Sequence, residues 1–308
     1  MGTPDFAVEP LRKLLEAGIH IAAVVTVPDK PSGRGQKIQQ SAVKQFAIQN
    51  NLLVLQPDRL RDELFLDKLR VLNADLFVVV AFRMLPEVVW SMPPKGTINL
   101  HASLLPQYRG AAPINWAIIN GESYTGVTSF FITHEIDTGD ILLQERVEII
   151  DDETAGELHD DLMNVGANLL LTTVKQIDDG SVKSMPQPYS SDLKKATKLF
   201  KDDCRINWNI SVEQIHNLIR GLSPYPTAWS EMIGNDEQIN VKIYKSKAEV
   251  VKHEYKTGTI ISNGKTYMKI ACNDGYINVI ELQLAGKKRL NVNEFLIGFK
   301  QIGNFVFD

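Results

Sequence analysis

The sequence predicts an α/β fold in which an open, mostly parallel Rossmann-like sheet is followed by a smaller antiparallel, OB-like β-barrel. Over the first two-thirds, short apolar runs alternate with amphipathic stretches, the βαβ signature of a sheet with helices on both faces. After Arg205 the pattern changes to short strands separated by turns such as Asn263-Gly264 and Asp274-Gly275. At 308 residues the chain exceeds what most single hydrophobic cores span. The expected division is a catalytic domain over 1–182, a linker over 183–204 and a barrel over 205–308.

The elements follow in order. Phe6, Leu11, Leu14 and Leu15 fall at helical spacing, and Gly18 ends that helix. Residues 21–27 form a nearly continuous, largely β-branched run, as a strand buried on both faces would. Helices are expected over 41–50 and 61–72, and strands over 52–55, 76–81, 97–101 and 128–132. A helix-rich segment over 151–179 closes the first domain. Prolines, serines and lysines mark 182–201 as a linker. A helix over 211–222 leads into strands over 238–245, 258–262, 267–271 and 276–283. The chain opens oddly: Gly2-Thr3-Pro4 is a turn that usually leaves a strand, yet only Met1 precedes it. The first central strand is therefore expected to be missing, at a cost in stability.

Bulk composition narrows the function class. Hydrophobic residues make up 44% and charged ones 23%, as in soluble globular proteins. No window approaches the roughly 20 apolar residues of a membrane span, and no basic, apolar leader opens the chain. Cys204 and Cys272 stand too far apart for a disulfide framework or a metal cluster, and a cytoplasmic setting fits them. The net charge of -4 argues against a generic nucleic-acid binder. From Arg205 onward, however, 13 Lys and Arg stand against 10 Asp and Glu, whereas the rest of the chain carries 20 against 27. A mildly basic second domain admits a nucleic-acid partner.

The chemistry concentrates between residues 99 and 140. Asn99 and His101 lie two apart on a strand, so they face one side, at the C-terminal end where open α/β sheets place ligands. An amide and an imidazole together can donate hydrogen bonds to an oxygen that turns negative in a tetrahedral transition state. The plainer alternative is a pair of turn residues at a strand end. The next stretch, Ser103-Leu104-Leu105-Pro106, is apolar where a loop is usually polar, which fits a ligand wall or simple burial under a neighbour. Asp137 sits in Glu135-Ile136-Asp137-Thr138-Gly139-Asp140. A carboxylate there can orient His101 or relay a proton, and spacing does not choose among Glu135, Asp137 and Asp140. His134 is a further candidate base, although a lone loop histidine is more often bland.

Asn-x-His followed by Ala-Ser-Leu-Leu-Pro-x-x-x-Gly and then Ile-Asp-Thr-Gly-Asp resembles the folate-dependent formyltransferases, and the likeness extends over nearly the whole chain. It implies that Asn99, His101 and Asp137 form the catalytic trio. It implies that Ser103, Leu104, Leu105 and Pro106 contact folate, and that Phe82-Arg83-Met84-Leu85-Pro86 wraps the pterin, with Met84 and Leu85 in contact. The expected co-substrate is 10-formyltetrahydrofolate, with no metal. The segment from Pro28 to Lys37 is similar to the basic insertion loop of the branch that formylates methionyl-tRNA, so Arg34 and Lys37 are expected to contact tRNA; a plain surface loop is the alternative. Arg205-Ile206-Asn207-Trp208, 220–229 and 284–288 resemble that branch's C-terminal barrel. The implied partners are folate and initiator methionyl-tRNA, with no membrane and a monomeric chain. Beside this stand transfer to a nucleotide-sugar amine, hydrolysis of formyl-folate, and an oligonucleotide-binding protein with an unused site.

Overall fold

The computed structural model describes residues 1–32, 37–189 and 191–308. The chain divides into two compact units: Met1–Gly110 with Thr125–Val147 and His159–Lys195, and Ala111–Tyr124 with Glu148–Leu158 and Ala196–Asp308.

In the first unit, local signals set the helix starts. Ser41 caps Ala42–Gln49 by accepting from the Lys44 amide, and Asp62 caps Glu63–Leu72 by accepting from the Phe65 amide. Phe65, Leu66 and Leu69 of the latter helix are buried, while Leu64 and Val71 on its other side are exposed. Strand Val24–Val25 pairs in parallel with Val54–Leu55, and Phe77–Val80 pairs in parallel with Thr97–His101. Thr97–His101 then pairs antiparallel with Tyr124–Phe131, and Ile141–Glu148 forms the outer strand of that sheet. The run over 21–27 is paired as a strand only at Val24–Val25. Among the described residues, Met1 and Gly2 lie between it and Phe77–Val80: the Gly2 amide donates to Val25 O, and Gly2 bridges Val80. Beside them lies a cavity of about 650 Å³ lined in part by Leu14, Ile21, Val24, Phe77 and Leu170. The Met1 amine donates to Val78 O at 2.7 Å, and burial pushes it down to about 5.

The second unit holds the antiparallel sheet, in the order Ile260–Ser262, Met268–Ala271, Gly275–Leu284, Glu237–Val250, Ala228–Gly234 and Val306–Phe307. A bridge between Thr259 and Val306 brings the two ends together, which makes the sheet a nearly closed barrel. Helix Val212–Gly221 starts on a capping box of Ser211 and Gln214. Its Val212, Ile215 and Ile219 are fully buried in one cluster with Ile243, Met268, Ile270 and Leu282.

The expected strands over 238–245 and 276–283 are longer in the structure, Glu237–Val250 and Gly275–Leu284. Strands Ala228–Gly234 and Ile141–Glu148 and helix Pro113–Ile119 had no clear sequence signal. The segment expected as a linker is partly tied to the first unit. Met185 pairs with Ile141, the Tyr108 amide donates to Lys194 O, and the Lys194 amide donates to Gln107 Oε1.

Candidate active site

The site is built at the C-terminal end of strand Thr97–His101. Period-two geometry puts Asn99 and His101 on one face. His101 is buried, and its Nε2 lies 2.9 Å from Tyr108 O. A carbonyl can only accept, so Nε2 carries the hydrogen. That leaves Nδ1 as the nitrogen open to other work, and it faces Asp137 Oδ2 at 3.8 Å. Asn99 is half-buried, and among the described residues its side-chain amide has no hydrogen-bond partner. An amide already satisfied by its neighbours would have nothing to offer a substrate.

The Asp137 loop is held from several directions. Asp137 adopts φ 56°, in the left-handed region, and its Oδ2 accepts from the Gly110 amide at 2.9 Å. Gly139 lets the loop close: a Cβ there would lie 1.7 Å from Phe131 O. Of the three acidic candidates, the structure brings Asp137 to His101. Glu135 is exposed, and Asp140 O accepts from the Phe131 amide. His134 is exposed and turns to Glu87 at 3.4 Å and to the Trp90 ring.

The Ser103–Pro106 loop is fixed from beneath. Thr128 is fully buried; its hydroxyl donates to Ser103 O at 2.6 Å and accepts from the Leu105 amide at 3.1 Å. Gln144 Nε2 donates to Leu105 O and to the Thr128 hydroxyl, both at 2.9 Å. Ser103 donates its hydroxyl to Gln107 O, and the Leu105-Pro106 bond is cis. The two leucines differ. Leu105 packs with Phe130 and Ile141, whereas Leu104 is half-buried and lies over Gly126. Pro106 is half-buried. Met84 is exposed, but the Leu85 side chain is in the core with Val79 and Val89, so only its backbone is free for a ligand. Arg83 anchors that segment by donating to Pro57 O and to Asp58 O at 2.9 Å.

Of the expected tRNA residues, Arg34 lies outside the described residues. Lys37 begins strand Lys37–Gln39, which pairs antiparallel with Lys30–Ser32. At the base of this hairpin Asp29 accepts from Lys44 at 2.6 Å and from Gln56 at 2.8 Å. The Lys44 bond, then the Gln56 bond, hold its carboxyl below the usual carboxylate range. Sequence reasoning missed Thr128, Gln144, the Tyr108 carbonyl and Gln187, which carry no motif of their own.

The formyl transferase family model matches residues 1–174, and the model of the formyl transferase C-terminal domain matches 198–300. The chain belongs to the formyl transferase family. Among its relatives in this family, a methionyl-tRNA formyltransferase of Parabacteroides distasonis is 53% identical over 311 residues, covering 99% of this chain and 96% of that one. One of Phocaeicola vulgatus is 54% identical over 310 residues, with the same coverage. The fold is also that of an N-formyltransferase from Helicobacter canadensis, solved with folinic acid and dTDP-3-aminofucose. Its TM-score is 0.65 at 21% identity, covering 94% of this chain and 97% of that one.

Proposed function

We propose that this formyl transferase moves the formyl group of 10-formyltetrahydrofolate onto the amino group of initiator methionyl-tRNA. The observation that carries the chemistry is the Asn99 amide, unpartnered among the described residues, on the same strand end as His101, whose Nδ1 faces Asp137. Near-complete coverage by relatives that bear the methionyl-tRNA name supports the acceptor.

In this reading the amine attacks the formyl carbon, and the carbonyl oxygen becomes an oxyanion. Asn99 donates to it through its unspent N–H groups. In its doubly protonated form His101 donates to it through Nδ1–H, since Nε2–H is committed to Tyr108 O. Asp137, steadied by the Gly110 amide, takes the proton of the attacking nitrogen and passes it to the departing folate nitrogen. Leu104, Pro106, the backbone at Leu85 and the exposed Met84 would line the folate, with Ser103 and Leu105 shaping the loop. Arg34 and Lys37 would meet the tRNA. Residues 1–182 would carry the chemistry and 205–308 the tRNA contact, as a cytoplasmic monomer.

One assay separates the acceptors. Labelled formyl-folate is offered with charged initiator tRNA, with a nucleotide-sugar amine, or with water alone. Label on the methionyl-tRNA is the expected result. Label on the sugar amine, or free formate, would replace this reading with the corresponding alternative.

A further inference from the structure

We infer that Gln187 is a positioning residue for Asp137, an inference that rests on the proposed role of Asp137 in proton transfer. The side-chain amide of Gln187 is fully used. Its Oε1 accepts from Arg109 Nε at 3.0 Å and from Arg109 Nη2 at 2.5 Å. Its Nε2 donates to Asp137 O and Gly139 O, both at 2.8 Å. An amide offers two donors and two acceptor lone pairs, so nothing remains for a substrate.

The partners belong to the two stretches that meet at the site. Arg109 directly precedes Gly110, whose amide holds the Asp137 carboxylate. Asp137 and Gly139 are therefore tied to 109–110 twice, once through the carboxylate and once through Gln187. The second tie falls on the carbonyl of the residue whose own backbone sits at φ 56°. Asp enters that region more readily than most non-glycine residues, and the bond to its carbonyl helps keep it there. Gln187 is itself placed by Met185, whose backbone exchanges two hydrogen bonds with Ile141, at 2.8 and 2.9 Å. No hydrogen bond of Gln187 reaches Asn99 or His101, so its influence on the chemistry passes through the Asp137 loop. The gap between Asp137 Oδ2 and His101 Nδ1 is 3.8 Å, and a loop shift of about 1 Å there is enough to cost roughly 100-fold in rate.

The test uses the full chain and measures kcat and both KM values for Gln187→Ala, Gln187→Glu, Asp137→Asn and the double variant Gln187→Ala/Asp137→Asn, with thermal melting of each. Gln187→Ala is expected to lower kcat about 10- to 100-fold while both KM values stay within about threefold. In the Asp137→Asn background the same change is expected to cost no more than about twofold, because the residue it positions is already disabled. Gln187→Glu keeps an acceptor for Arg109 but loses both N–H donors, so it should fall as far as the alanine variant. An unchanged kcat in Gln187→Ala, or an equal loss in both backgrounds, overturns the inference. Near-normal turnover of Asp137→Asn alone overturns the reading beneath it, and that pattern is distinct from the other two. Should Gln187→Ala fail to fold, the kcat of Gln187→Glu decides by the same criterion.

Discussion

Asn99 and His101 were legible from the sequence because a strand repeats every two residues, and an apolar run marks where the strand ends. Their availability was not legible. Among the described residues the Asn99 amide is unpartnered, and one His101 nitrogen is committed to a carbonyl. One oxyanion donor is typically worth about 3–4 kcal/mol. Asn99→Ala and His101→Ala are each expected to slow turnover about 10²- to 10³-fold while melting near the parent temperature. Steady-state rates with methionyl-tRNA and a thermal scan check this, and near-normal turnover in either would remove that residue's role. Asp137 was ambiguous because three carboxylates lie within six residues, and spacing says nothing about which backbone turns inward. The positive φ at Asp137 and the close approach of Gly139 to Phe131 O settle the direction, and the latter depends on strand Tyr124–Phe131 being in place.

At the scale of elements, the Ser103–Pro106 loop depends on the strand beneath it. Thr128 belongs to a strand and reads in sequence as an ordinary β-branched residue. In the fold its hydroxyl is the buried point where Ser103 O, the Leu105 amide and Gln144 meet. Thr128→Val keeps the shape and removes the hydroxyl, leaving buried backbone groups unpaired at roughly 1–3 kcal/mol each. The expected result is a lower melting temperature and a raised KM for formyl-folate, with KM for methionyl-tRNA close to the parent value. A rise in both KM values would point to wider damage. Elements with clean patterns were read well, strand Thr97–His101 and the helix capped by Ser211 among them. Strand Ala228–Gly234 was missed because its buried face includes Ser230, which accepts from Trp208 Nε1 at 2.9 Å and donates to Asp308 O at 2.7 Å. A buried polar residue satisfied by distant partners breaks the alternation on which such a reading rests.

For the whole molecule, charge and pH dependence are the measurable consequences. The excess of basic over acidic residues from Arg205 onward, and the basic residues between Pro28 and Lys37, predict salt-dependent use of tRNA. Arg34→Ala is expected to weaken methionyl-tRNA binding and to flatten the log affinity–log salt slope by about one, with KM for formyl-folate unchanged. Equal loss of both substrates would indicate misfolding instead. In the second unit, His216 Nε2 lies 2.9 Å from Asp152, and its Nδ1 lies 3.1 Å from the Ser246 hydroxyl. Burial, which outweighs the opposing pull of Asp152, lowers its pKa below the ordinary 6.5, and Arg220 adds to the lowering. The folded state then resists a proton that the unfolded chain accepts. Stability is full above about pH 6.5 and declines as pH falls below it, by at most about 1.4 kcal/mol per pH unit from this group. Melting of His216→Gln between pH 7.5 and 5.5 should show a shallower decline than the parent; parallel curves would refute the assignment.

The amino-acid sequence by itself determined the two-part architecture, the strand that carries Asn99 and His101, and the family. These follow from local periodicity and from contiguous motifs, which survive as strings of letters. Only the tertiary structure decided which carboxylate meets His101, which ring nitrogen faces it, which leucine of the loop is core and which stays half-exposed, and that Gln187, some 50 residues beyond Asp137, reaches back to hold it. Those choices depend on backbone direction and on hydrogen bonds between segments far apart in the chain, and no periodicity encodes either.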